Sequence, residues 1–503
     1  MSATGDPTGA DLREAGVHGL RWTAMARMAV EVVLLASMVL LARIISPAEF
    51  GYFAVAIIVQ ELALVITAEG VGTALVQRAT VDREHLQAGL WLGLVVGLVL
   101  GLLTLVAASL VVVPLFGART AELVRLATPL FLISAAGTVP MALLRRRLEF
   151  RRLSTIDIAT SVVRAVGSLA LAIIVGLQGE ALVLGGIAAG LTTTVMAWIY
   201  APAPMPRLRL AAARELMSYG LPASIASMSW VGFRNCDYAI VSARLGALQA
   251  GYYFRAYMLA VEYVKKISIV MGQVGLPVLA RAGDEMSVLR GQMVRMLAIL
   301  TFPMLAVLTI TAPALVPWLF GAEWTPAVLP MQILAAGGAS TIVIDAIGVA
   351  LMASGRPRAL LGFGVGHFVA YALAVLVASR FGLAGVAAAA SIVHTAFLGV
   401  AYTILLRGTG QPPLRTMWAE IGPAIGACAG LVAVAVPVAL GLSAAGAPAL
   451  VQIALVTVAA LGAYAAALRL CFPSSWADVV AVARRVVPSM PGRIRLRRAL
   501  EVS

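Results

Sequence analysis

Charge is scarce in this sequence. Asp, Glu, Lys and Arg together make 12% of its 503 residues, against roughly 25% in a soluble domain. Histidine occurs four times, cysteine three times and lysine twice, at Lys265 and Lys266. Each scarcity excludes something. So little charge cannot clothe several water-exposed domains. Cys236, Cys428 and Cys471 have neither the spacing of a metal site nor the even count of a disulfide framework. Four histidines and little chain outside the apolar runs leave no catalytic constellation, so no enzymatic activity, resident metal or cofactor is expected. A cleavable signal peptide is not expected either, because the first apolar run is long, carries Arg27 and Glu31 and lacks a small-residue cleavage site.

Apolar sequence is abundant, at 61%. A helix crossing ~30 Å of hydrocarbon needs about 20 apolar residues, so the composition supplies roughly fourteen spans and little else. The expected fold class is an all-α polytopic membrane protein. The runs predict a short cytoplasmic segment over 1–19, six spans in a first lobe over 20–201 and a cytoplasmic linker over 202–216. Six more spans follow in a second lobe over 217–406, then a last pair over 407–470 and a basic tail over 471–503. Trp476, Val479, Val480, Val486 and Val487 could make that tail an interfacial helix, with Arg493, Arg495, Arg497 and Arg498 on an anionic leaflet; a disordered basic end is the alternative.

The net charge of +14 has an explanation in these connections. Arg145, Arg146, Arg147, Arg151 and Arg152 follow the fourth expected span, Arg207, Arg209 and Arg214 the sixth, and Arg356 and Arg358 the tenth. The alternate loops carry single arginines, such as Arg119 and Arg380, or none. By the positive-inside rule both termini are cytoplasmic. Most of the basic surplus is then an orientation signal, and no nucleic-acid partner is expected.

A duplication is legible as well. A-R-I-I-S-P-A-E-F-G-Y-F from Ala42 matches A-R-L-G-A-L-Q-A-G-Y-Y-F from Ala243, and V-G-T-A-L-V-Q-R ending at Arg78 matches V-G-L-P-V-L-A-R ending at Arg281. The offset is six spans. An even number makes the two units enter the membrane from the same side, so a pseudo-twofold axis along the membrane normal is expected, with a cleft between the lobes. Within the third span Gly89, Gly93, Gly97 and Gly101 draw a smooth ridge suited to close helix packing.

Ionisable groups inside spans cost about 2.5–3.5 kcal/mol each on insertion scales and therefore call for partners or a wet cavity. Counted at ~1.5 Å per residue, Arg27, Glu31 and Arg164 lie roughly 10 to 16 Å from the cytoplasmic side. Glu61, Arg234, Asp237, Arg255 and Asp345 also fall within spans. Local pairs such as Arg27 with Glu31, or Arg234 with Asp237, would neutralise them. Alternatively Arg27, Arg164, Arg234 and Arg255 ring a cleft and hold a polyanionic group such as a diphosphate, whose oxygens Arg binds bidentately. Glu31, Glu61, Asp237 and Asp345 are then candidates for ion coupling or gating. His367 and His394 read as packed polar residues.

The chain resembles the Wzx-type polysaccharide or O-antigen flippases of the multidrug/oligosaccharidyl-lipid/polysaccharide exporter superfamily. The motifs are L-A-R-I-I-S-P-A-E-F-G (41–51), E-G-V-G-T-A-L-V-Q-R (69–78), N-C-D-Y-A-I-V-S-A-R-L-G (235–246), V-G-L-P-V-L-A-R (274–281), L-F-G-A-E-W-T-P-A (319–327) and A-S-G-R-P-R (353–358). The resemblance implies two six-helix bundles and alternating access that carries a polyprenyl-diphosphate-linked oligosaccharide from the inner to the outer leaflet of a bacterial cytoplasmic membrane. It also implies membrane lipids, a polysaccharide polymerase and chain-length machinery as partners. A flippase for lipid-linked peptidoglycan precursors and a cation-coupled multidrug antiporter of the same superfamily are the alternatives.

Overall fold

The computed structural model describes residues 30–486, and among them every regular element is helical. Arg27 and the basic run at the chain's end lie outside the described residues. Among the described residues ten helical stretches are long and apolar enough to cross a membrane, and the chain is an all-α, multi-pass membrane protein.

The described residues fall into two compact units divided between Phe254 and Arg255. The first holds α1 (30–44), α2 (Pro47–Thr67), α3 (Thr73–Gln77), α4 (Arg83–Ala107), α5 (Val113–Phe116), α6 (Ala118–Ala127), α7 (Leu130–Arg146), α8 (Phe150–Ala170), α9 (Gly179–Tyr200) and α10 (Leu210–Leu245). It also takes the start of α11 (Ala247–Tyr257). The second holds the rest of α11, α12 (Tyr263–Ala280), α13 (Met286–Phe320), α14 (Val328–Ala353), α15 (Pro357–Ala378), α16 (Gly382–Leu406), α17 (Pro413–Ala444), α18 (Ala449–Cys471) and α19 (Pro473–Val486).

Hydrophobic runs mark only the apolar middles of these helices. The seventh run matches α10, but α10 extends to 36 residues because its polar ends continue the helix beyond the apolar window. The expected loop between the third and fourth spans is helical too, broken at Gly117, whose φ of 87° only glycine adopts without strain.

In the first unit α4 packs its glycines inward. A Cβ on Gly97 would stand 2.7 Å from the Phe131 carbonyl oxygen of α7, while Leu98, Leu102 and Leu103 on the opposite face are exposed for lipid. The small residues let the backbones approach. The two matched stretches also touch each other here. A Cβ on Gly51 would collide with the carbonyl oxygen of Ala247, and one on Gly251 with that of Pro47. Positions 47 and 51 of α2 thus meet positions 251 and 247 of α11 reciprocally.

In the second unit α14 is enclosed by α12, α13 and α16, whereas α17 and α18 pair with each other and lean on α13. α19 turns off after Phe472 and packs on α18 and α13.

Some of the loop arginines do more than orient the chain. Arg146 donates to the carbonyls of Leu75 in α3 and of Arg78 and Ala79 just beyond its end, and Arg356 donates to Ile404 and Leu405 at 2.9 and 3.0 Å at the end of α16. A guanidinium at a helix C-terminus satisfies carbonyls that have no intrahelical partner and opposes the negative end of the dipole.

Candidate functional site in the first unit

Glu61 on α2 gathers the polar groups of the first unit. Its Oε1 accepts from Arg234 Nη2 at 2.9 Å and its Oε2 from Asn235 Nδ2 at 2.9 Å, both on α10. Asn235 is buried, and its amide also donates to the Val231 carbonyl, which fixes its orientation. Arg164 of α8 feels the same carboxylate electrostatically. Arg234 stays 41% exposed and Glu61 23%. The pair is thus organised by a buried amide on one side and accessible on the other.

One turn along α2 from Glu61, Leu64 lines a cavity of about 240 Å³. Ser134, Thr138 and Arg145 of α7, Asp157 of α8, and Thr193 and Thr194 of α9 supply its polar wall. Thr193 shares a hydrogen bond of 2.8 Å with Thr160, and Thr194 donates to the Ile133 carbonyl at 2.8 Å. The Ser134 hydroxyl is buried without a hydrogen-bond partner. Asp157 lies two turns before Arg164 on α8, so the cavity and the Glu61 cluster are built on two common helices. Hydroxyls that both donate and accept, beside a carboxylate, suit a hydrated or polyhydroxyl group.

At the Arg-rich helix ends of this unit, Glu215 binds Arg78 at 2.7 Å and His85 at 3.2 Å, and His85 also reaches Asp82 at 2.6 Å. The His85 backbone N–H and ring hold the Asp82 carboxyl below its usual range, and His85 and Arg78 do the same for Glu215. Asp82 is also the N-cap of α4.

The remaining candidates have other surroundings. Asp237 is 1% exposed and accepts from the Tyr253 hydroxyl at 3.0 Å and the Tyr238 amide at 2.9 Å, which ties α10 to the start of α11. Arg255 is 2% exposed in the second unit, its guanidinium carbon 5.0 and 5.1 Å from the ring centres of Phe320 and Trp324. Asp345 of α14 accepts from Ser268 at 3.4 Å in the same unit. His367 and His394 pack against each other and against Tyr371. Glu31 sits at the start of the described part of α1. Of the four arginines, Arg164 and Arg234 are therefore brought together through Glu61, while Arg255 is enclosed by aromatic rings. Among the described residues no group of three His, Cys, Asp or Glu side chains could hold a metal ion.

Sequence reasoning passed over Asn235 and the hydroxyls. The run Thr192–Thr193–Thr194 in an otherwise apolar helix was the available signal.

The chain is 25% identical over 373 residues to the teichuronic acid biosynthesis protein TuaB of Bacillus subtilis (strain 168), covering 73% of this chain and 77% of that one. It is 25% identical over 359 residues to the lipopolysaccharide biosynthesis protein WzxC of Escherichia coli (strain K12), covering 70% and 73%. Its fold is similar to that of the lipid II flippase MurJ in an inward closed conformation, with a TM-score of 0.65, 13% identity and coverage of 89% of this chain and 99% of MurJ. An inward-facing multidrug resistance MATE family transporter gives a TM-score of 0.60 at 12% identity, with coverage of 79% and 99%. The model of one family matches residues 40–329, more than half of the sequence and all of the Glu61, Arg164 and Arg234 cluster, and the chain belongs to that family, the polysaccharide biosynthesis proteins.

Proposed function

We propose that the protein is a flippase that moves a polyprenyl-diphosphate-linked oligosaccharide, a polysaccharide or O-antigen repeat unit, from the inner to the outer leaflet of a bacterial cytoplasmic membrane. The observation that carries this reading is Arg234 on α10, within the seventh expected span, a guanidinium that stays 41% exposed while paired with the Glu61 carboxylate. Such a group at membrane depth calls for water or an anion. The diphosphate would take Arg234 and Arg164, with Asn235 holding Glu61 as the anion arrives. The hydroxyl-lined cavity beside it would meet the sugar. The polyprenyl tail would stay in lipid, so the protein has only to shield the polar head.

Release would come when the access side changes and Glu61 recovers Arg234. Two six-span lobes related by the duplication, over 20–201 and 217–406, would supply alternating access by rocking about the cleft between them. Both chain ends lie in the cytoplasm on this reading, where the arginine-rich connections belong. A polymerase and chain-length machinery would take the product at the outer face. The family and the names of TuaB and WzxC support polysaccharide assembly as the setting.

Depletion of the protein tests the function. Lipid-linked sugar should accumulate on the inner leaflet and surface glycan should fall. Undiminished surface glycan, in a strain with no redundant transporter, overturns the reading.

A further inference from the structure

At the Arg-rich end of the second unit, three helices open onto one cavity of about 680 Å³. α13 begins at Met286, α17 at Pro413 and α19 at Pro473, and the first turns of all three line it through Ser287, Thr416 and Ser474. The starts of α17 and α19 present the positive end of a dipole and free amide N–H groups behind Pro413 and Pro473, which have no N–H themselves, whereas the Met286 N–H that opens α13 is already bonded to the Gly283 carbonyl. Arg290, Arg295 and Arg415 add three full charges to the wall.

Two carboxylates share the cavity, and both are engaged. Glu420 accepts from Arg290 Nη2 at 2.7 Å and from the Tyr402 hydroxyl at 2.6 Å, and Asp478 faces Arg295 at 3.4 Å. Three arginines against two acids leave a positive balance before the helix ends are counted. Donor capacity is left over as well. Arg290 is 5% exposed, and among the described residues neither its Nε nor that of Arg295 has a hydrogen-bond partner. Arg415 is exposed.

The rim indicates where a ligand would come from. On α17, Leu414 and Trp418 are one turn apart, 69% and 60% exposed, and they flank Arg415. A bare Leu–Trp edge beside arginine is the composition of a membrane interface, where indole and guanidinium sit at headgroup level and leucine meets acyl chain.

We propose that this cavity binds a phosphate-bearing anion, and that its source is the headgroup of an anionic phospholipid. Guanidinium groups pair phosphate oxygens bidentately, and helix N-termini add amide donors. The Ser and Thr hydroxyls complete the set. A soluble phosphate would satisfy the same donors and leave Leu414 and Trp418 bare; a phospholipid covers both. Bound there, the lipid would fasten α13, α17 and α19 to one leaflet. This region lies beyond residue 329, where the family match ends, apart from the first helix. The inference does not depend on what the protein transports.

The test uses the full chain purified from phosphatidylcholine nanodiscs with and without phosphatidylglycerol, with retained lipid counted by native mass spectrometry. Phosphatidylglycerol should be retained over phosphatidylcholine. Arg415→Gln should weaken that preference by about fivefold and Arg295→Gln/Arg415→Gln by more, the scale expected of single basic residues near an anionic surface. Arg415 is exposed, so its replacement leaves the helix packing intact, which the melting temperature checks. A second arm titrates inorganic phosphate into the phosphatidylcholine sample and follows tryptophan fluorescence. Saturable phosphate binding that is lost in the double variant, with no preference for phosphatidylglycerol, overturns the lipid source and supports a soluble one. No preference for either anion, or a preference unchanged in the double variant, overturns the site.

Discussion

Each unit contains an arginine paired with a glutamate far away in sequence. The distances are nearly the same, 2.9 Å for Arg234 with Glu61 in the first unit and 2.7 Å for Arg290 with Glu420 in the second. The exposures are not. The first pair is 41% and 23% exposed, the second 6% and 6%. Enclosure decides what the two pairs can do. Around Glu420 the Tyr402 hydroxyl takes the second oxygen, so α13, α16 and α17 are joined through one buried carboxylate whose two oxygens are both engaged. Around Glu61 the second oxygen is also satisfied, by Asn235, but the guanidinium is left accessible. A ligand can therefore draw Arg234 away without stranding Glu61 completely. Two pairs of the same chemistry divide into a fastening and a receptor.

The comparison can be broken most forcefully at the fastening. Arg290→Met should destabilise the protein by about 3–5 kcal/mol, because it leaves Glu420 charged and buried, whereas Arg290→Met with Glu420→Leu should recover most of that loss. Melting temperature in detergent reads both. Tyr402→Phe removes one hydrogen bond to the same carboxylate and should cost about 1.5–3 kcal/mol.

At the receptor, Arg234→Gln should change stability by no more than about 1 kcal/mol, as an accessible pair does, while abolishing glycan export with the protein still in the membrane. A large loss of stability there, or normal export in Arg234→Gln combined with Arg164→Gln, would erase the distinction.

The smallest effect belongs to the surface acids beside His85. Their carboxyls are held below the ordinary 3.8 of Asp82 and 4.5 of Glu215. A lowered pKa contributes stability above the ordinary value and loses it as pH falls through the depressed one. Glu215→Gln should flatten the acid side of the stability profile below pH ~4.5 and leave neutral pH untouched.

The fold was legible because lipid imposes a simple code. Apolar runs of span length can only become helices when every backbone group must be satisfied internally. Even the glycine spacing of α4 carried its packing face. Lengths were less legible, since Arg214 and Glu215 look like loop residues and yet prolong α10. The site was half legible. Rarity flagged Arg164, Arg234 and Glu61, but nothing in spacing along the chain brings residue 61 to residue 234. Asp237 and Arg255 carried the same flag and turned out to be enclosed, one by tyrosines and one by Phe320 and Trp324. Burial of a charge by distant aromatic rings leaves no periodic trace.

The contact of Gly51 with Ala247 and of Gly251 with Pro47 bears on the history of the chain. On the proposed duplication these are equivalent places in two copies, and each copy is the other's environment there, as across the axis of a homodimer. On that reading the copies have elsewhere been free to diverge. At this crossing they have not. A side chain admitted on one copy would have to be answered by the other at once, so the two glycines are inherited jointly. Comparison of many descendants should find these positions changing in concert and slowly, the remnant of a subunit interface retained inside a single polypeptide.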